Sequence, residues 1–383
     1  MKATALFTKF FESERSSGLF LIACTVISLT LANSPLQSEY LKIWHFQMAG
    51  HDVAHWINDG LMTIFFLLVG LELEREVYIG ELSSIKNALL PIMGAIGGMV
   101  VPAGIHLVLN AGSPTQSGAG IPMATDIAFA LAALSLLGKR IPVSLKIFLT
   151  ALAVIDDLGA ILVIAIFYTD SLDWFNLTMA ATAFGSLLIL NRLKVRNLIP
   201  YLLGGIVMWY FMSHSGIHPT ISGVLLAFAI PFGNGDEKST SYVLQHFLHR
   251  PVGFIILPLF ALANTSIVIP DHWIHGLVQL NSIGIFAGLF IGKPVGISLF
   301  SYASTMVRLT SLPADIKWSH IIGAGMLGGI GFTMSIFITL LAFEDPVYID
   351  ESKIVILLSS LLSGVAGYVF LRLKTQAPLK AVA

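Results

Sequence analysis

Runs of about twenty apolar residues recur along this chain between short polar breaks, and that one feature removes most folds from consideration. A hydrocarbon layer about 30 Å thick is crossed by about 20 residues of helix, and backbone inside it must satisfy its own hydrogen bonds. The runs are continuous rather than alternating, so an all-α polytopic protein is expected and a β-barrel is not. Charged residues make up only 11% of the chain, against roughly 25% in a soluble domain. The lipid bilayer is therefore its expected surrounding. A net charge of −1 offers no basic surface to nucleic acid. The first apolar run is long for a signal peptide and lacks a small-residue cleavage pattern, so it reads as a retained helix. The single Cys24 lies inside that run and has no second cysteine in the chain to bridge to.

Polar and Pro/Gly-rich breaks divide the chain into twelve expected spans: 17–33, 59–79, 88–109, 118–138, 143–168, 174–190, 197–213, 216–232, 251–269, 283–304, 319–343 and 352–371. Cytoplasmic loops retain Lys and Arg, which tests the division independently. Of the 21 basic residues, eighteen fall on one side, from Lys2, Lys9 and Arg15 to Arg372, Lys374 and Lys380. The other side receives Lys42 and Lys353, and Lys293 alone is left inside a span. Both termini are accordingly expected to be cytoplasmic.

Two spans make poor continuous helices. The fourth opens SGAGIPMATDIAFAL, where Pro122 lacks a backbone donor, and the eleventh reads GAGMLGGIGFTMSIF, with five glycines between Gly323 and Gly331. Each is the middle member of a three-span group, 88–168 and 283–371, and the charge division sends the two groups in from opposite sides. Inverted repeats within one domain, residues 1–383, each with a broken helix, are how secondary transporters build an ion site near the midplane.

Within TALAVIDDLGAILV, Asp156 and Asp157 interrupt an apolar run. Two aspartates at a helix centre cost about 5–7 kcal/mol before compensation. Consecutive helix positions differ by about 100°, so the two carboxylates cannot point the same way. Hard cations such as Na⁺ and Li⁺ take oxygen ligands, and protons compete for the same oxygens. That competition is itself an exchange mechanism. Asp126, after the break in the fourth span, either balances a half-helix dipole or coordinates the ion with Thr125. Lys293 is a candidate to neutralise broken-helix ends, to pair with Asp157, or to release a proton when an ion arrives. Glu72, Glu74, Arg75 and Glu76 in GLELERE form either a cation entrance or a solvated helix end. His218 in SGIHPTISG is a candidate pH-responsive group.

Together, ATDIAFAL, ALAVIDDLGAI, IGKPVGISLF, FFLLVGLELERE and GIGFTMSIFI resemble the NhaA family of bacterial sodium/proton antiporters, from WINDG at Trp56 to GVAGY at Gly364. The family is itself among the examples behind the inverted-repeat rule. The resemblance implies twelve helices in a bacterial inner membrane, with two discontinuous helices that cross, spans four and eleven. It implies Asp156 and Asp157 as ion-binding carboxylates, Asp126 as the fourth-helix aspartate and Lys293 as the tenth-helix lysine. It also implies a homodimer through the first outer loop, where YLKIWHFQMAG alternates as a short strand would. Members shut off at acidic pH commonly carry a Lys at the position of Glu74 and a Glu at that of Gln245, so the pH set point of this chain is expected to differ.

The expected activity is electrogenic antiport of sodium, or lithium, against protons by alternating access, serving cytoplasmic pH and sodium balance. No enzyme activity and no cofactor are expected. A sodium-coupled symporter for an organic solute would need an apolar pocket beside the ion site. An intramembrane aspartyl protease would need two aspartates on separate membrane helices, one within G-x-G-D; the sequence carries that string only at Gly233–Asp236, outside every expected span.

Overall fold

The computed structural model describes residues 2–169, 171–270 and 273–375; Lys380, counted above on the cytoplasmic side, lies outside them. Among the described residues eight helices are long and apolar enough to cross a membrane: Val53–Tyr78, Ile85–Asn110, Gln116–Ser135, Val143–Phe167, Trp174–Arg192, Thr240–Asn264, Leu280–Met306 and Pro346–Lys374. The pair Trp318–Gly328 and Phe332–Ala342, bent by 48°, makes a ninth if it is one span. Ser16–Ala32 and Leu198–Ser213 are shorter apolar helices. Where 216–232 reads as a span, the α-helix covers only Ile221–Ala229, bounded by Pro219 and Pro231.

Two helices begin earlier than hydropathy suggests. Thr240–Pro251 is amphipathic, capped by Ser239 and burying Ser241, Leu244 and Leu248, so its polar face hides it from a hydropathy window. The last helix starts at Pro346, with Asp345 accepting the Val347 N–H at 2.9 Å. Pro suits that first turn because its missing donor would be unpaired there anyway.

The segment expected as the first outer loop corrects the strand expectation. Gln37–Trp44 is a helix that buries Tyr40 and Trp44, four residues apart and hence on one face. Only Gln47–Met48 is a strand, and it pairs with His51–Asp52 of the same chain. Ala49 (φ 52°) and Gly50 (φ 89°) make the turn, the left-handed geometry that two-residue hairpin loops favour.

The chain forms two compact units. The first comprises Met1–Ile22, Ser84–Ala160 and Ile269–Ala383. Within it, Ile85–Asn110 and Leu280–Met306 approach so closely that a Cβ on Gly296 would lie 2.1 Å from the Gly97 carbonyl oxygen. Helix Leu280–Met306 is locally π-helical over Gly288–Gly292, immediately before Lys293. In the fourth span a 3₁₀ helix, Gln116–Met123, gives way to extended backbone at Ala124 and Asp126 before the α-helix Ile127–Ser135. This break meets the bend of the eleventh span, the Asp126 N–H donating to the Ile330 carbonyl at 2.7 Å.

The second unit comprises Ala23–Ser83 and Ile161–Val268. Its helix Gln37–Trp44 is held by the Tyr40 hydroxyl, 2.9 Å from Ser28 Oγ and 3.1 Å from the Leu262 carbonyl. Asn33 Nδ2 donates to the Ile267 carbonyl at 2.8 Å nearby.

Candidate functional site

A break in a helix strands backbone donors and acceptors, and the first unit shows where they go. Asp126 caps Ile127–Ser135 through the Phe129 N–H at 3.1 Å. Its other oxygen, Oδ2, accepts the Thr333 N–H at 3.1 Å and the Thr333 hydroxyl. One carboxylate thus faces the first turns of two helices, where partial positive charge concentrates. Ser360 Oγ accepts the Gly331 and Phe332 N–H groups at 3.2 and 3.1 Å. Ser335 Oγ donates to the Ile121 carbonyl at 2.7 Å, satisfying the end of the 3₁₀ segment.

Thr125 precedes Asp126 yet turns to a different set of partners. Its Oγ1 lies 2.6 Å from Asp156 Oδ2 and 2.9 Å from the Gly328 carbonyl. A hydroxyl has one proton, so it donates to one of these oxygens at a time. The Lys293 ammonium donates to Thr125 Oγ1 at 2.8 Å and to Asp156 Oδ2 in an ion pair whose two side chains are fully buried. Asp156 Oδ1 is buried and finds no hydrogen-bond partner among the described residues. Asp157 is buried too, and close enough to Lys293 to act on it electrostatically.

Pairing with Asp157 is one of three roles the sequence allows Lys293; the ion pair that the structure shows is with Asp156. The turn of about 100° between consecutive helix positions explains it, since only one carboxylate can face the helix carrying Lys293. Of the two roles the sequence allows Asp126, its bonds to the first turns of two helices match the dipole-balancing one, while Thr125 turns to Asp156. Thr333, Ser335 and Ser360 were not singled out in the sequence. Thr333 lay within GFTMSIF, but a threonine in an apolar run has no signature until the neighbouring break is known.

The same sequence was compared with known proteins. The profile described as Na+/H+ antiporter 1 matches residues 8–371. The chain belongs to the Na+/H+ antiporter 1 family. A protein of Flavobacterium psychrophilum named Na(+)/H(+) antiporter NhaA is 68% identical over 372 residues, covering 97% of each chain. Relatives of the same name from Cytophaga hutchinsonii and Dechloromonas aromatica are each 58% identical, the first over 99% of this chain and 98% of its own, the second over 97% and 96%. The resemblance read from the motifs holds, and the chain is a multi-pass membrane protein.

Of the candidate residues of this antiporter-family chain, the structure brings Thr125, Asp126, Asp156, Asp157 and Lys293 together in the first unit. The others belong to the second unit. There Glu72 Oε1 lies 3.9 Å from His249 Nδ1, Arg75 is exposed and sits over the Tyr242 ring at 5.7 Å, and Glu76 Oε2 accepts the Glu81 N–H at 3.0 Å. Glu74 is buried, and its Oε2 finds no hydrogen-bond partner among the described residues. Gln245 is half-buried on the amphipathic helix. His218 Nε2 lies 3.8 Å from Asp59 Oδ1, while His55 Nε2 lies 3.5 Å from Asp59 Oδ2.

Proposed function

We propose that this chain is a sodium/proton antiporter whose exchange is centred on Asp156, and that Li⁺ uses the same oxygens. The observation that carries this reading is the pairing at Asp156, where one oxygen holds the Lys293 ammonium and the Thr125 hydroxyl. The other is left without a partner.

A buried carboxylate with a vacant oxygen is a hard-cation ligand, and the Gly328 carbonyl and Thr125 Oγ1 supply further oxygens beside it. Na⁺ entering there competes with the ammonium for the same negative charge. Two positive charges on one desolvated carboxylate are strongly unfavourable, so the ammonium withdraws and releases a proton. Asp157, acting through its position beside Lys293, gives up a second proton to complete the negative charge around the ion. Two protons per Na⁺ make the cycle electrogenic, and alternating access exposes the loaded site to either side in turn. Asp126 holds the two broken helices rather than the ion.

Further parts of the reading rest on loop charge and family resemblance. These are twelve spans with inverted repeats 88–168 and 283–371 in one antiporter domain, spans four and eleven discontinuous and crossed, and both termini on the cytoplasmic side of a bacterial inner membrane. A homodimer forms through the first outer loop.

The test is acridine-orange dequenching on addition of NaCl or LiCl to everted vesicles from an antiporter-deficient host, across pH 6 to 9. Wild type should dequench with both salts, while Asp156→Asn and Asp157→Asn should not. Absence of dequenching at every pH, with the protein present in the membrane, would sink the reading. In proteoliposomes the rate should rise with an imposed potential that favours net charge movement.

A further inference from the structure

We infer that His106 is a positioning residue for this exchange: a buried His106–Asn281–Ser352 clasp sets how tightly Lys293 holds Asp156. The inference rests on the proposed competition between Lys293 and Na⁺ at that carboxylate.

His106 is fully buried on helix Ile85–Asn110. Its Nε2 lies 3.1 Å from Asn281 Oδ1, and Asn281 Nδ2 donates to Ser352 Oγ at 2.8 Å. Asn281 Oδ1 can only accept, so the proton of this contact is on His106 Nε2. Three helices, Ile85–Asn110, Leu280–Met306 and Pro346–Lys374, are thereby joined by one polar chain. Asn110 extends it, donating to the carbonyls of His106 at 3.0 Å and Leu280 at 3.2 Å, while Thr115 Oγ1 donates to Asn110 Oδ1 at 2.7 Å. The imidazole also packs against the 3₁₀ half of the fourth span, its Cε1 lying 3.2 Å from where a Cβ on Gly118 would stand.

The clasp grips the start of the helix that carries Lys293, and the π-helical segment Gly288–Gly292 lies between grip and lysine. A π-helical turn changes the helix register and is a local weak point. Where Lys293 Nζ comes to rest therefore depends on how the stretch before it is held. Polar groups buried at this depth are costly unless paired; His106 Nε2, Asn281 and Ser352 are paired across the three helices, while His106 Nδ1 finds no partner among the described residues, so the contacts that are made constrain how these helices sit. No group of the clasp lies among the hydrogen-bond partners of Asp156, so its effect passes through the helix.

The experiment measures initial Na⁺/H⁺ exchange rates against [Na⁺] in everted vesicles, with the amount of protein in the membrane determined for each variant. In His106→Leu the loosened ammonium should compete less well, so the apparent KM for Na⁺ should fall on the order of threefold to tenfold as the maximal rate per protein also falls. His106→Gln, whose amide can still donate to Asn281, should stay near wild type. Asn281→Ala should reproduce His106→Leu, and combining the two should add little. A merely structural role would lower the amount of protein and leave KM unchanged. Where His106→Leu does not accumulate, Asn281→Ala and Ser352→Ala carry the same test. An unchanged KM in the variants that accumulate would overturn the inference. Lys293→Gln separates the two readings: if its KM also matches wild type, the competition itself fails, and if its KM drops alone, only the clasp does.

Discussion

Thr125 and Asp126 are neighbours in sequence with opposite duties, and the difference lies in one extended stretch of backbone. Thr125 joins Lys293 and the Gly328 carbonyl at Asp156, so Thr125→Val removes an oxygen from the proposed ion site without changing its size. Hydrogen bonds to charged groups are worth about 1.5–3 kcal/mol, so the apparent Na⁺ affinity should weaken by about tenfold or more. Sodium titration of the exchange rate checks this, and an unchanged affinity would remove Thr125 from the ion's surroundings. Asp126 instead receives donors from Phe129 and Thr333. Thr333→Val should therefore lower thermal stability in detergent by about 1–3 kcal/mol, the cost of leaving a buried acceptor short of a donor, while Thr333→Ser should not. At this scale the sequence made the buried charges legible because each is expensive in hydrocarbon. It could not say which aspartate Lys293 meets, because helix phase separates Asp156 from Asp157 only once the facing helix is in place. The clasp of His106, Asn281 and Ser352 was invisible for a related reason: single polar residues near span ends look like ordinary interfacial positions until three helices bring them together.

Helices in this chain are decided by hydropathy along their lengths and by capping at their ends, and only the first is easy to read. Apolar runs located the long helices, and Pro122 with the glycines at 323–331 located the irregular backbone of the fourth and eleventh spans. Thr240–Pro251 and Gln37–Trp44 escaped because an amphipathic helix averages to low hydropathy. In YLKIWHFQMAG the apolar spacing fits a strand and a short helix alike, and docking of Tyr40 on Ser28 and Leu262 favours the helix. Close packing can be tested at the same scale. At Gly296 an added methyl would meet the Gly97 carbonyl oxygen at 2.1 Å, whereas at Gly185 a Cβ would meet nothing within 4 Å. Gly296→Ala should thus cost about 1–3 kcal/mol of stability by forcing two helices apart. Gly185→Ala, mid-helix and unobstructed, should be neutral or stabilising by up to about 1 kcal/mol. Detergent melting curves of the two variants compare these effects directly. Equal melting temperatures would mean that the helices separate without cost.

For the whole molecule, the most economical constraint is the distribution of basic residues expected from the twelve-span division, eighteen on one side against Lys42 and Lys353 on the other with Lys293 between; the structure sets Lys353 inside the last helix and buried. Retention of Lys and Arg on the cytoplasmic side concerns insertion rather than packing, so this division carries information that helix geometry alone does not. It also makes an experiment simple. Cys24 is the chain's one cysteine and is buried, so a membrane-impermeant maleimide should give little background. Lys42 lies on the exposed face of its helix, paired to Glu39 at 2.7 Å, and Lys238 is exposed in the loop before Thr240. In right-side-out vesicles Lys42→Cys should be labelled and Lys238→Cys protected, and in everted vesicles the pattern should reverse. Both positions labelled from the same side would mean that the number of crossings between them differs from the expected one by an odd number, and the twelve-span reading would fall. Reversal of the whole pattern would keep the spans but invert the molecule, placing the hairpin Gln47–Asp52 in the cytoplasm. The opposite entry of 88–168 and 283–371 would survive that inversion, because it depends on the number of crossings between the repeats and not on which side the first begins.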